Sequence, residues 1–307
     1  MQPLIIITGP TGVGKSAAAV TLAEQIHGEI ISGDSVQMYR SLDIGSAKPS
    51  VEERRGVPHH LIDCLDPDEP YTAARFQQEA QRWIEEIRQR GHVPIVAGGS
   101  GLYVRALLDP FRFAPAGSEE VRLKWRAYVR QQGNQALHQA LAACDPASAA
   151  RLHPNDTCRM IRALEVFELT GRPLSQAREF KEKEYPPVPE NVVYLGLNTE
   201  RSELYRRIDE RCVRMIEQGL LAETLGILRA GYARNLKPLQ SIGYRQALWQ
   251  LYGLVTEREM LRLMQRDTRH LAKRQLTWFQ RDPRIRWFDP LAGGVEEMLR
   301  LCLLRLD

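Results

Sequence analysis

An eight-residue run, Gly9-Pro10-Thr11-Gly12-Val13-Gly14-Lys15-Ser16, has the residue types that wrap a backbone around phosphate. The glycines let successive N–H groups point inward, and a helix expected over about Lys15–His27 adds its positive N-terminal end. At this spacing Lys15 reaches terminal phosphate oxygens and Ser16 is a ligand for Mg²⁺. The run alone leaves open whether the ligand is a nucleotide to be cleaved or another diphosphate.

Two further clusters follow expected strands. Ser32-Gly33-Asp34-Ser35-Val36-Gln37 places a carboxylate where loops line the ligand crevice of a parallel sheet. Asp34 there can take a proton from an attacking nucleophile, hold a metal-bound water, or simply cap a helix. Val96-Ala97-Gly98-Gly99-Ser100-Gly101-Leu102-Tyr103 is again strand, glycine turn and helix, with the Ser100 hydroxyl at the crevice. A nucleotide hydrolase often closes such a strand with an acidic residue that holds Mg²⁺, whereas this strand closes with Gly98-Gly99. That difference counts against ordinary ATP or GTP hydrolysis.

The elements that must position these groups are short β-rich runs at Leu4–Thr8, Glu29–Ser32, Leu61–Cys64, Val93–Gly98 and Val192–Leu197, with helical patterns between them. Alternation of this kind implies an α/β fold with a parallel sheet and right-handed crossovers. From about Ala116 to Glu190 the texture changes to helical periodicity, at Val121–Gln131 and Cys158–Leu169, and closes with Pro186, Pro187 and Pro189. This predicts a core begun by residues 1–115, a mainly helical insertion over 116–190, and completion of the core by 191–307.

After the fifth strand the pattern predicts helices over Glu203–Gln218, Leu221–Ala230, Ser241–Leu251 and Glu257–Gln280. On the last, Arg258, Arg262, Arg266, Arg269 and Lys273 share one face, while Leu261, Met264, Leu271 and Trp278 lie on another. A cationic stripe suits a phosphate backbone, and a solvated face is the alternative. Arg211 and Arg214, one helical turn apart, face either the diphosphate or solvent. His59 and His60 read as loop hydrogen-bonders before a strand, and Trp278 and Phe279 as core residues, with stacking on bases the alternative.

Composition bounds the class. At 307 residues, 43% hydrophobic and 26% charged, the chain is an ordinary globular protein. No apolar run approaches the roughly 18 residues of a membrane span and residues 1–8 enter a strand at once, so the default location is the cytoplasm. Five scattered cysteines, Cys64, Cys144, Cys158, Cys212 and Cys302, have no metal-binding spacing and read as reduced thiols. The net charge of +4 conceals a split, with −3 over residues 1–115 and +7 over 116–307. Such asymmetry points to a polyanion facing the basic part, with nucleic acid foremost. Nothing in the sequence demands more than a monomer.

The blocks Gly9–Ser16, Asp34–Arg40, Asp43–Pro49, Pro58–Leu61, Gly98–Tyr103, Arg162–Glu165, Ile242–Tyr244 and Ala272–Gln275 together resemble the bacterial tRNA dimethylallyltransferases, over Ile5 to about Asp282. The resemblance implies a P-loop-type sheet core flanked by helices, with the helical insertion binding tRNA. It implies transfer of a dimethylallyl group from dimethylallyl diphosphate to N6 of the adenine just 3′ of the anticodon, in tRNAs reading codons that begin with U. Gly9–Ser16 would then bind the donor diphosphate instead of ATP. Asp34 would be the general base, and Lys15 and Ser16 with Mg²⁺ would stabilise the departing diphosphate. Contacts to the tRNA anticodon stem-loop would come from Asp34, Ser35, Val36, Gln37, Ser100 and Arg122. Further contacts would come from Cys158, Arg159, Met160, Ile161 and Arg162, and from Gln240, Ser241, Ile242, Gly243, Tyr244 and Arg245. Cys158 stands where the family commonly has Gln, and Ser100 where Thr is usual. A small-molecule kinase, a prenyltransferase acting on free AMP and a non-catalytic RNA-binding module with a degenerate nucleotide site are the alternatives; the first would consume ATP.

Overall fold

A computed structural model describes residues 2–109, 113, 117–177 and 185–306. The chain divides into two compact units, residues 1–108 with 185–307, and residues 109–184.

In the first unit, apolar runs build one sheet. Its strands are Leu4–Thr8 (β1), Gly28–Ser32 (β2), His59–His60 (β3), Val93–Ala97 (β4), Val192–Leu197 (β5) and Arg286–Phe288 (β6). They are all parallel, in the order β3-β2-β4-β1-β5-β6. Every residue of β1 and β2 is buried, the apolar run of β1 and even Glu29 and Ser32 of β2, as in a parallel sheet packed on both faces. Ile6 pairs with Val96 of β4 on one side and Tyr194 of β5 on the other, which makes β1 central. The turns after β1, β2 and β4 therefore leave the same edge side by side.

The helices in chain order are Lys15–Ile26 (α1), Val51–Arg54 (α2), Ala73–Gln89 (α3) and Gly101–Leu108 (α4) in the first half of this unit. The second unit holds Glu119–Cys144 (α5), Pro146–Ala149 (α6), Thr157–Thr170 (α7) and Leu174–Ala177 (α8). The first unit is completed by Arg201–Glu217 (α9), Leu220–Arg229 (α10), Tyr244–Leu251 (α11), Glu257–Phe279 (α12) and Gly294–Leu303 (α13). The helical unit has its own core, formed by Leu137, Leu141, Met160, Ile161 and Leu164 with two alanines. α5 is interrupted at Gly133, where φ is 81°.

Three expectations need correction. The third strand is His59–His60 and not Leu61–Cys64, because Leu61 and Asp63 adopt φ of 59° and 52°, which ends the extended ladder. The two histidines are therefore the strand itself. His60 Nε2 lies 2.6 Å from the buried Glu29 carboxylate, which also takes a bidentate contact from Arg90, and the His60 ring stacks on Trp83. Second, β6 is only three residues long, too short to show a period-two pattern in the sequence. Third, the helix expected from Ser241 starts at Tyr244, since Gly243 turns the chain with φ of 97° after a 3₁₀ turn over Pro238–Gln240.

Candidate active site

The turn after β1 runs so close to β5 that any side chain at Gly9 would collide with the Leu197 carbonyl, 2.3 Å from a Cβ built there. Gly9–Gly14 then enters α1, and its first residues face a cavity of about 470 Å³. The structure brings Lys15, Ser16, Asp34 and Gln37 to this cavity, opposite Arg206, Arg207, Arg211 and Arg214 of α9. Arg207 Nη1 donates to the Val13 carbonyl at 3.4 Å and Arg211 Nη2 to Thr11 Oγ1 at 2.8 Å. The Nε of Arg211 is buried with no hydrogen-bond partner. Burial pushes the Lys15 ammonium down to about 8; nearby Asp34 opposes that shift and Arg211 adds to it. Burial also lowers the Arg211 guanidinium. Half-buried Lys15 and Arg211 in one cleft, with the Arg211 Nε left unpartnered, are suited to a compact polyanion such as a diphosphate.

A second cavity, about 390 Å³, shares Thr11, Asp34, Ser46, Gly99 and Arg211 with the first. Its remaining wall is mixed. Val36, Ile242, Met215, Met264 and Leu271 supply apolar surface, and Ser35, Ser100, Gln240, Ser241, Thr268 and Gln275 supply polar groups. Asp34 thus stands at the junction of a cationic cavity and a partly apolar one. Its Oδ1 accepts the Val36 N–H at 2.8 Å and the Gln37 N–H at 3.4 Å. Among the described residues no hydrogen bond is made to Oδ2. Turn-capping and base chemistry are therefore compatible, one oxygen for each.

Side chains from distant parts of the chain fix the loops. Gln37 accepts from Ser32 Oγ at 3.0 Å and donates to the Ala47 carbonyl at 3.2 Å, tying its own loop to the next. Gln275 of α12 accepts the Thr11 N–H at 2.8 Å and donates to the Gly99 carbonyl at 3.0 Å, so one carboxamide spans both glycine turns. Glu223 of α10 accepts the N–H groups of Asp43, Ile44 and Gly45 at 3.0, 2.8 and 3.3 Å, and the Tyr244 hydroxyl at 2.5 Å.

The expected RNA-contacting residues divide. Gln240, Ser241, Ile242, Gly243, Ser35, Val36 and Ser100 all line the second cavity. Tyr244 does not: it is fully buried, its hydroxyl bound to Glu223, so its side chain is structural. Arg245 lies 2.9 Å from Asp267 and is one-third exposed. In the helical unit Met160 and Ile161 belong to the core, which removes their side chains from any RNA surface. Arg122 and Arg162 both grip the buried Glu165, at 2.8 and 2.5 Å. Arg159 and Cys158 are exposed.

The cationic stripe of α12 is also shorter than its spacing implies. Arg269 Nη1 donates to both carboxylate oxygens of Asp209, at 2.8 and 2.7 Å, and Arg266 pairs with Asp267, while Arg258 and Arg262 stay exposed with no carboxylate partner among the described residues. Arg207, Gln275 and Glu223 were not picked out by sequence reasoning as site residues. The spacing of Arg207, Arg211 and Arg214 by four and three on one helix after β5 is the signal that could have found the arginine face. A single Gln or Glu in a charged helix has none.

Among the described residues no helix is long and apolar enough to cross a membrane, and no group of three or more His, Cys, Asp and Glu side chains could hold a metal ion. The sequence profile of the family described as IPP transferase matches residues 37–282. A tRNA dimethylallyltransferase from Desulfitobacterium hafniense is 57% identical over 299 residues, covering 97% of this chain and 95% of the relative. One from Carboxydothermus hydrogenoformans is 48% identical over 298 residues, with the same coverage of both chains. The crystal structure of the full-length tRNA isopentenylpyrophosphate transferase of Bacillus halodurans superposes with a TM-score of 0.73 at 40% identity, covering 100% of this chain and 97% of that one. A eukaryotic dimethylallyltransferase captured acting on tRNA gives 0.78 at 27% identity, covering 97% of this chain and 77% of that one. With its parallel α/β core, phosphate-binding turn and full-length similarity, the chain belongs to the IPP transferase family.

Proposed function

We propose that this protein transfers a dimethylallyl group from dimethylallyl diphosphate to N6 of the adenine 3′-adjacent to the anticodon, in tRNAs reading codons that begin with U. The observation that carries this reading is Asp34 at the junction of the two cavities. The diphosphate occupies the cationic side and the prenyl carbon meets the adenine on the other. N6 attacks C1 of the donor as the C1–O bond breaks, the bonding pair leaves with the diphosphate, and the surplus N6 proton passes to the Asp34 carboxylate. That proton becomes acidic only as the C–N bond forms, so a base poised beside it acts in the transition state. Lys15 and Arg211 neutralise the charge that develops on the leaving group. Gln37 and Gln275 keep the reacting loops in register.

Mg²⁺ fits this site. Ser16 is exposed on the cationic cavity, its hydroxyl has no hydrogen-bond partner among the described residues, and Asp34 lines the same cavity. Mg²⁺ is commonly bound by one or two protein oxygens with substrate phosphate and water completing its shell. There it would screen the diphosphate.

The experiment is labelling. With Mg²⁺ and labelled donor, the protein should label tRNA without ATP and leave AMP unlabelled; label on AMP, or dependence on ATP, sinks the reading. Asp34→Asn keeps an acceptor for the Val36 N–H but removes the base, so kcat should fall by roughly 10²–10⁴ with tRNA affinity retained. A fall of only a few-fold would exclude Asp34 as the base.

A further inference from the structure

The Gln240–Gly243 wall of the second cavity ends in a turn that side chains behind it hold in place. Gly243 has φ of 97°, and its buried N–H donates to Gln246 Oε1 at 2.9 Å. Gln246, three residues on and fully buried, reaches back to it as the second half of a capping box does. The amide nitrogen of Gln246 in turn donates to Asp267 Oδ2 at 2.8 Å. Asp267 is 13% exposed, so water has little access to replace these contacts. It also accepts Arg245 Nη2 on the same oxygen at 2.9 Å, and on Oδ1 it takes Arg266 Nε at 2.9 Å and Nη2 at 2.8 Å. Gln246 and Asp267 stand behind the cavity wall and not in it.

The sequence of donors and acceptors admits one arrangement. A carboxylate only accepts, so Gln246 turns its NH₂ toward Asp267 and its carbonyl oxygen toward Gly243. Reversed, the amide would set donor against donor at Gly243 and acceptor against acceptor at Asp267, both out of reach of water. Two guanidinium groups fix Asp267, Asp267 fixes the carboxamide, and the carboxamide fixes the turn. The turn in its place packs on a second wall: a Cβ at Gly243 would lie 3.5 Å from the Gly45 carbonyl, and Gly45 and Ser46 line the same cavity. A shift of the turn therefore reaches both walls.

From this chain of contacts we propose that Asp267, acting through Gln246, is a positioning residue for the reaction: its carboxylate sets the orientation of the carboxamide that keeps the Gln240–Gly243 wall in the shape that receives the adenine. The proposal rests on tRNA being the substrate, and its test separates the two. Wild-type protein is first assayed on an anticodon stem-loop RNA; absence of labelling there removes the substrate assignment and this inference with it.

Given wild-type labelling, exchange of the acid and the amide is the test. Gln246→Glu sets a second carboxylate against Asp267 and should raise KM for the RNA about tenfold, while KM for the donor stays within about twofold. Asp267→Asn lets the Gln246 amide reverse and should raise KM for the RNA about fivefold, again with the donor unaffected. In the double variant, Gln246→Glu with Asp267→Asn, the new amide donates to the new carboxylate, whose other oxygen accepts the Gly243 N–H, and one negative charge stays beside Arg245 and Arg266. Its KM for the RNA should return to within about twofold of wild type, a recovery that expresses the coupling of the two sites. Thermal unfolding identifies the variants that are folded at the assay temperature; if Gln246→Glu is not, Asp267→Asn and the double variant still decide. An unchanged RNA KM in Asp267→Asn, equal rises in RNA and donor KM, or a double variant no better than Asp267→Asn would each overturn the assignment.

Discussion

Removal of the Glu223 carboxylate should cost both stability and cavity geometry, by an amount set by its four donors. In Glu223→Ala the N–H groups of Asp43, Ile44 and Gly45 and the Tyr244 hydroxyl all lose their acceptor. Water can replace it at the exposed Asp43. At the partly buried Ile44 and Gly45 the loss is about 1 kcal/mol each, and the buried phenol adds roughly 1–3 kcal/mol. The total is about 3–5 kcal/mol, which for a unit of this size lowers Tm by roughly 10 °C. Because Gly45, Ser46 and the Gln240–Gly243 segment all line the second cavity, KM for tRNA should rise together with the loss of stability. Thermal unfolding with steady-state kinetics reads both. Tyr244→Phe alone should cost about 1 kcal/mol, and the double variant should be no less stable than Glu223→Ala, since the phenol is already unsatisfied there. A Tm within 2 °C of wild type for Glu223→Ala, or strict additivity in the double variant, would refute this account of the carboxylate.

Lys15, held down to about 8 by burial, is charged below that pH and neutral above it. A diphosphate binds the charged form better, so its Kd should be flat below about pH 7 and weaken toward tenfold per unit above 8, relative to Lys15→Met. Calorimetric titration from pH 6.5 to 9.5 with no difference between the two proteins would contradict this. Charge reversal at Arg258 and Arg262, which have no carboxylate partner among the described residues, should lower tRNA affinity and reduce the salt slope by about 0.7 for each phosphate no longer neutralised. The same change at Arg269 should instead act on stability, because it faces the Asp209 carboxylate with like charge; equal salt slopes for all three variants would count against that division.

Much of the fold and the centre of the site are legible in the residues, for physical reasons. β1 and the phosphate turn are local: an apolar run followed by glycines at fixed spacing specifies both strand and loop within thirteen residues. Asp34 is legible because strand order places the ends of β1 and β2 at one edge. The third strand escapes, since its two histidines owe their extended pairing to β2, Glu29 and Trp83 and not to β propensity. Arg211 is readable as one of a helical pair but not as half-buried against Thr11, because that contact is decided by the packing of α9 over the turn after β1. Tyr244, Met160 and Ile161 show the converse: a motif marks a segment, and only packing decides which of its side chains face inward.

The Gln275 bridge has a consequence for the life history of the chain. Thr11 and Gln275 are 264 residues apart, and the bridge that joins the Thr11 N–H to the Gly99 carbonyl forms only when α12 has docked. During synthesis the Gly9–Ser16 turn therefore emerges early and waits for nearly the whole polypeptide before this support arrives. An incomplete chain displays the motif without the registered site. Registration of the two glycine turns is thus coupled to possession of α12.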